Sequence, residues 1–225
     1  MKKPLAVLFD IDETLVHTGG AGGRSWTRAF DDLYGVEADI GQHSSAGETD
    51  PQVGRATFEG AIGRAPSDEE MSELYAKYLW HLADEILKPG YRVFDGVDDT
   101  LRTLQRERVV IGVISGAMEG AARTKMEPGR LGRYFVFGGY GSDSPDRDEA
   151  TRIAIRKAGL VVGRDLERDE VFVVGDTPHD ITSAHAAGAT GVGVATGHYS
   201  VDELQGAGAD VVLPDLTHPF PGLRP

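Results

Sequence analysis

Short apolar runs punctuate the chain, and the stretches between most of them carry apolar positions at helical spacing. Runs near 5–9, 109–114, 134–137, 171–174, 190–194 and 210–213 are strand-length, and several are rich in valine. That is the pattern of strands buried on both faces of a parallel sheet. From about residue 91 the runs alternate with helical stretches near 96–107, 118–127, 147–158, 178–187 and 201–206. Such alternation predicts an α/β fold with a doubly wound parallel sheet. Gly159 and Gly188 each follow a helix as C-terminal caps. The proline-rich end, 214–225, reads as irregular chain lying along the core surface.

Residues 16–90 break the alternation and read as helical. Ser67-Asp68-Glu69-Glu70 is a capping box. The apolar positions Met71, Leu74, Tyr78, Leu82 and Ile86 follow it at helical spacing, a packing stripe. Thr49-Asp50-Pro51 starts a helix over 51–62, and a shorter helix spans 25–33. The expected organisation is a core of residues 1–15 and 91–225 with a small all-helical insertion, 16–90, after the first strand. Gly19-Gly20-Ala21-Gly22-Gly23 and Lys88-Pro89-Gly90 flank the insertion. They suit hinges or plain flexible linkers equally.

The chemistry sits at strand ends. Phe9-Asp10-Ile11-Asp12-Glu13-Thr14 follows the first apolar run, so two aspartates stand two residues apart at the strand's carboxyl end. Carboxylates that close repel unless a cation or a shared proton relieves them. A second acid cluster, Gly175-Asp176-Thr177-Pro178-His179-Asp180, follows the valine-rich strand 171–174. Asp180 in a first helical turn complements the helix dipole, which leaves Asp176 unexplained. Two strands delivering carboxylates to one sheet edge point to a divalent cation, and an all-oxygen set favours Mg²⁺ over zinc. Ser115-Gly116 ends the strand at 109–114. A hydroxyl and free N–H groups there can hold phosphate oxygens, although the pair alone is an ordinary turn.

Composition narrows the partners. The 225 residues hold enough chain for one domain plus a small insertion. A net charge of −13 argues against a broad grip on nucleic acid or an anionic membrane surface. There is no cysteine, hence no disulfide framework or thiol chemistry. The first apolar stretch is too short for a secretory leader or a membrane span, so a cytoplasmic location is expected. Oligomeric state is not set by the sequence.

The order and spacing of these motifs resemble the haloacid dehalogenase superfamily, and within it the Mg²⁺-dependent phosphatases of the phosphoglycolate phosphatase type. Asp10-x-Asp12-x-Thr14 resembles the first motif, Ser115 the second and Gly175 to Asp180 the fourth. The third motif needs a cation near the start of the helix before the fourth. Arg147 is the candidate; Lys125 is the rival, read as a solvated surface lysine inside the helix 118–127. Glu13 stands where many relatives have glycine, and Ser115-Gly116 replaces the commoner Thr-Asn. The resemblance implies a Rossmann-like core with a mobile helical cap and a small phosphorylated metabolite as substrate. It further implies Asp10 as nucleophile, Asp12 as general acid and base, and Mg²⁺ held by Asp10, Asp176 and the Asp12 carbonyl. Ser115, Gly116 and Arg147 would bind the phosphoryl oxygens. Asp180 and Thr14 would support the site from behind.

Substrate choice would lie with the insertion. Arg24 is the candidate for a substrate carboxylate or second phosphate, with a solvated arginine as the equal alternative; His43, Thr49, Asp50 and Arg55 rank below it. A dehalogenase needs neither an acid at position 12 nor a metal. A phosphonate hydrolase needs a Schiff-base lysine in the cap, where Lys77 and Lys88 are poorly placed. A phosphosugar mutase shares every core carboxylate and stands second. A non-catalytic phospho-ligand binder stands a distant third.

Overall fold

The computed structural model describes residues 1–42 and 47–223. Six strands, β1 (Ala6–Phe9), β4 (Val110–Ser115), β5 (Phe137–Tyr140), β6 (Val171–Gly175), β7 (Thr190–Val194) and β8 (Val211–Leu213), form one sheet. Their order is β5-β4-β1-β6-β7-β8 and every pairing is parallel. The doubly wound α/β architecture expected from the pattern is the one present.

Alternation along the central strands separates two apolar faces. Val7 and Phe9 join Phe172 and Val174 in one cluster, while Ala6 and Leu8 join Val171 and Val173 in the other. Helix α4 (Val97–Arg106) packs on β4, and its Val97, Leu101 and Leu104 belong to the first cluster. Helices α6 (Arg147–Val162) and α7 (Pro178–Ala186) close the second with small residues, Ala150, Ala154, Ala158 and Ala184. Small residues let α6 sit close to the sheet. A Cβ on Gly139 would come within 2.1 Å of the Ala150 carbonyl oxygen. Each large side chain buried here contributes roughly 1.5–3 kcal/mol.

Register aligns the strand ends. Phe9 pairs with Val113 of β4 and with Val174 of β6, so three strands finish on one edge of the sheet. Asp10, Ser115 and Asp176 stand at those three ends.

After β1 the chain forms a two-stranded antiparallel ribbon, β2 (Val16–His17) with β3 (Arg92–Val93). Between the ribbon strands run α1 (Ala21–Tyr34), α2 (Asp50–Ile62) and α3 (Asp68–Glu85). The stripe Met71, Leu74, Tyr78, Leu82, Ile86 is buried throughout, and Trp26 stacks on Tyr78 with ring centroids 4.3 Å apart. The capping box at Ser67 forms as read, with the hydroxyl accepting from the Glu70 N–H and the Glu70 carboxylate accepting from the Ser67 N–H.

Four boundaries differ from the sequence pattern, each for a tertiary reason. Helix α1 starts at Ala21 rather than residue 25, because burial of Ala21 and Trp26 outweighs the poor helix propensity of Gly22 and Gly23. Helix α6 continues past Gly159 and is capped by Gly163 at φ 89°. Gly159 serves a close approach instead, its would-be Cβ lying 2.9 Å from the Arg164 carbonyl oxygen. Strand β5 starts at Phe137, since Leu131–Tyr134 makes a 3₁₀ turn pinned by the Tyr134 hydroxyl donating to Asp98. The C-terminal segment is part of the core: Leu216 and Phe220 are buried, with the Phe220 ring 6.1 Å from that of Phe9.

Where the chain crosses between sheet and helices, Gly19 packs against Gly90. Beside them Glu85 is buried and accepts from Arg24 (2.7 Å), Arg28 (2.9 Å) and Lys88 (2.6 Å). Burial works against its charge, yet the three cations hold its pKa down at about 2. Their side chains are 42%, 46% and 52% exposed, so solvent screens the attraction. Glu85→Gln is expected to cost about 1–2 kcal/mol, lowering the melting temperature by about 2–8 °C. Because the folded pKa lies below the ordinary 4.5, the contribution is complete above that value. Thermal melts should therefore show the gap between parent and variant closing as pH falls from about 4.5 toward 2.

Candidate active site

Four segments converge on the sheet's carboxyl edge. Asp10 follows β1 with its N–H bonded to the Val174 carbonyl, and Asp12 lies two residues on. Ser115 closes β4, and Asp176 and Asp180 flank the turn into α7. Arg147 opens α6 behind an Asp146 cap. Together with Gly116 these side chains line a cavity of about 280 Å³. A larger hollow of about 440 Å³ between α4 and the C-terminal segment lacks any such convergence of carboxylates and cations.

Arg147 is buried and its Nη2 donates to Asp10 Oδ1 (2.8 Å) and Asp180 Oδ1 (2.6 Å). The Thr177 N–H (3.0 Å) and hydroxyl (2.7 Å) take the other Asp180 oxygen. Asp180 is thereby held between Arg147 and the turn into α7. Nη1 of Arg147 makes only a long bond of 3.5 Å to the Gly47 carbonyl, and Nε is buried without a partner among the described residues. The guanidinium thus keeps donors in reserve. Burial opposes its charge, but Asp180 and Asp10 raise its pKa above the ordinary value.

The carboxylates are crowded. Burial, then Asp180, raises the Asp10 pKa against the pull of Arg147. Asp176 is pushed up to about 8 by burial and by Asp10 and Asp180. Thr14 donates its hydroxyl to Asp176 Oδ1 at 3.1 Å. Buried, mutually repelling hard oxygens are a donor set that a divalent cation relieves. Among the described residues, no three Asp, Glu, His or Cys side chains are gathered as a ready-made metal centre. Two carboxylates and one main-chain carbonyl do not require three, so the residues present fit Mg²⁺.

Lys125 departs from the sequence reading. It is buried rather than solvated, and its ammonium donates to Asp12 Oδ2 at 2.6 Å. Desolvation opposes that charge, but Asp12, Tyr78 and Asp50 hold its pKa above the ordinary value. In α5 (Glu119–Met126) Lys125 shares the buried face with Ala121 and Ala122.

Asp50, ranked low as part of a helix start, also lines the cavity. Its N–H donates to the Gly116 carbonyl (2.8 Å), and its Oδ2 accepts the Met118 N–H (2.9 Å). Burial raises its pKa to about 6. A Cβ at Gly116 would meet the Glu48 carbonyl oxygen at 2.3 Å, so glycine there admits the segment leading into α2. Thr49 spends its hydroxyl on Gln52 and the Pro145 carbonyl, and Arg55 pairs with Asp68. Arg24 is outside the cavity lining and bound to Glu85, the Gly19 carbonyl taking its Nη1. Lys77 and Lys88 pair with Asp32 and Glu85. His43 lies outside the described residues. Glu13 adopts φ 59°, a conformation natural to glycine; its side chain meets His17 at 2.6 Å and its carbonyl accepts from Thr196. His198 and Tyr199, unremarked in the sequence, complete the lining.

A parallel α/β sheet with paired aspartates, a buried cation and a hydroxyl gathered at its carboxyl edge has its ligand site where open α/β sheets carry one. The chain belongs to the haloacid dehalogenase-like hydrolase family, whose profile matches residues 7–194. It is 30% identical over 217 residues to a phosphoglycolate phosphatase of Rhodospirillum rubrum, covering 95% of this chain and 88% of that one. Among solved structures it resembles CbbY from Rhodobacter sphaeroides in complex with phosphate, with a TM-score of 0.75, 18% identity and 95% of each chain covered. A putative beta-phosphoglucomutase from Bacteroides vulgatus gives 0.69 at 20% identity, over 95% of this chain and 85% of the other. No helix among the described residues is long and apolar enough to cross a membrane.

Proposed function

We propose that this protein is a Mg²⁺-dependent phosphatase that hydrolyses a small phosphorylated metabolite through a phosphoaspartyl intermediate. One observation carries the reading: Asp10, Asp12, Ser115, Arg147 and Asp176, drawn from distant parts of the chain, line one cavity. The relationship to a phosphoglycolate phosphatase supports it.

Arg147 occupies Asp10 Oδ1, so attack on phosphorus falls to Oδ2. The P–O bond to the alcohol breaks as the Asp10–phosphorus bond forms, and Asp12 delivers the proton to the departing oxygen. Asp12 then takes a proton from water, which displaces phosphate and frees Asp10. Lys125 fixes the carboxylate that makes both transfers. Ser115, the Gly116 N–H and Arg147 receive the equatorial oxygens as charge moves through the transition state. Asp10, Asp176 and the Asp12 carbonyl would hold Mg²⁺, which would supply positive charge to shield an anionic nucleophile from an anionic phosphoryl group. Residues 16–90 act as the cap, with the β2–β3 ribbon and the Gly19–Gly90 contact as the crossing where it pivots.

Phosphoryl transfer within a sugar phosphate is the second reading, favoured by the likeness to the putative beta-phosphoglucomutase. One assay separates the two. Phosphate release from a panel of phosphorylated metabolites should proceed with Mg²⁺ and drop to background with chelator. An isomerised sugar phosphate without released phosphate would establish the mutase, and turnover undiminished by chelator would sink the metal assignment.

A further inference from the structure

The cavity lining is acidic, and both of its cations already pair with acids of that lining. Among the described residues seven acids line the cavity, against one lysine and one arginine. Arg147 serves Asp10 and Asp180, and Lys125 serves Asp12. A bound divalent cation and a phosphate dianion cancel formally, so the remaining charge is what the rest of the substrate meets. There the lining offers Asp50 and Glu13 as acceptors and His198 and Tyr199 as further hydrogen-bond partners. Arg24, the cation that a substrate carboxylate would need, is held by Glu85 away from this cavity.

We infer that the substrate is the phosphate monoester of an uncharged, hydroxyl-bearing alcohol, and that the site disfavours a leaving group carrying a carboxylate. The inference rests on the phosphatase reading and narrows it. It separates this chain from the substrate named for its relative in Rhodospirillum rubrum, phosphoglycolate. Hydroxyl groups can donate to Asp50 and Glu13, whereas a carboxylate brings a like charge against them with no lysine or arginine among the described lining residues left unpaired to answer it. Asp50 is the central determinant because the Gly116 carbonyl and the Met118 N–H fix it over the strand end where phosphate binds.

Matched substrate pairs test this on one carbon skeleton, exchanging only a terminal CH₂OH for a carboxylate. They are 2-hydroxyethyl phosphate against 2-phosphoglycolate, and glycerol 3-phosphate against 3-phosphoglycerate, assayed at pH 7.5 with Mg²⁺. The hydroxyl member of each pair should show kcat/KM higher by about tenfold or more, as expected from one like-charge contact at a half-buried site. Asp50→Asn should shrink that ratio several-fold. Should it fold poorly, Glu13→Gln should shrink it in the same sense. Calorimetric binding of the four compounds to Asp10→Asn should repeat the ranking without turnover. Equal or better use of the carboxylate members overturns the inference and leaves the phosphatase reading intact. p-Nitrophenyl phosphate distinguishes the deeper failure: if it and both pairs release nothing, the phosphatase reading falls and the inference with it.

Discussion

Asp10→Asn is expected to abolish phosphate release while the protein melts at or above the parent's temperature. The activity loss follows from removing the attacking atom; deleting a nucleophile costs about 10⁴–10⁶-fold in kcat. The stability result has a separate cause. Asp10 is buried with its pKa raised, first by desolvation and then by Asp180, so its ionised form is held against an unfavourable environment. Asparagine keeps the shape and an oxygen for Arg147, whose other partner, Asp180, still balances its charge. Function and stability are opposed at this position, as is usual where charges are gathered for catalysis. Phosphate-release kinetics beside a thermal melt check both halves. Activity within tenfold of the parent would remove the phosphoaspartyl route, and a melting temperature many degrees lower would show Asp10 to be a structural ion-pair partner.

What could be read from the chain divides along a physical line. The strands at 6–9 and 171–175 were legible because a parallel strand buried on both faces reads as a near-continuous apolar run. Asp10 and Asp176 were legible because the polar residue ending such a strand falls on the sheet edge where ligands bind. Ser67 and Glu70 announced a helix start through their own side chains. Information that lies in distant partners was not legible. Lys125 has Arg123 and Thr124 beside it and looks like surface; its partner Asp12 lies 113 residues earlier. Asp50 reads as the first residue of a helix, but its place is fixed by main-chain groups of Gly116 and Met118, which no side-chain pattern reveals. Arg24 followed a glycine run and looked free, until the end of α3 brought Glu85 to it. The strand-end aspartates were thus visible from the sequence, while the pairing of Lys125 with Asp12, the place of Asp50 and the engagement of Arg24 required the fold.

The two buried cations should separate cleanly on mutation. Arg147→Met leaves Asp10 and Asp180 buried without their shared partner, a loss of about 3–5 kcal/mol. The melting temperature should fall by roughly 6–20 °C. It also removes the donors meant for the phosphoryl oxygens, so kcat should fall by about 10²–10³-fold or more. Arg147→Lys recovers only part of both, since a single ammonium cannot span Asp10 and Asp180 as the planar guanidinium does. Lys125→Met acts differently, because Asp12 is 40% exposed and water can take over its solvation. Its stability cost should stay near 1–2 kcal/mol, and its effect should fall on kcat, by about tenfold, with KM little changed. That split is expected if Lys125 holds the proton-transferring carboxylate in line rather than binding phosphate. Lys125→Met raising KM more than Arg147→Met would reverse the assignment and make Lys125 the phosphate-binding cation. With the order as expected, Arg147 takes the third-motif role from the first turn of α6, and Lys125 is a second cation that positions Asp12.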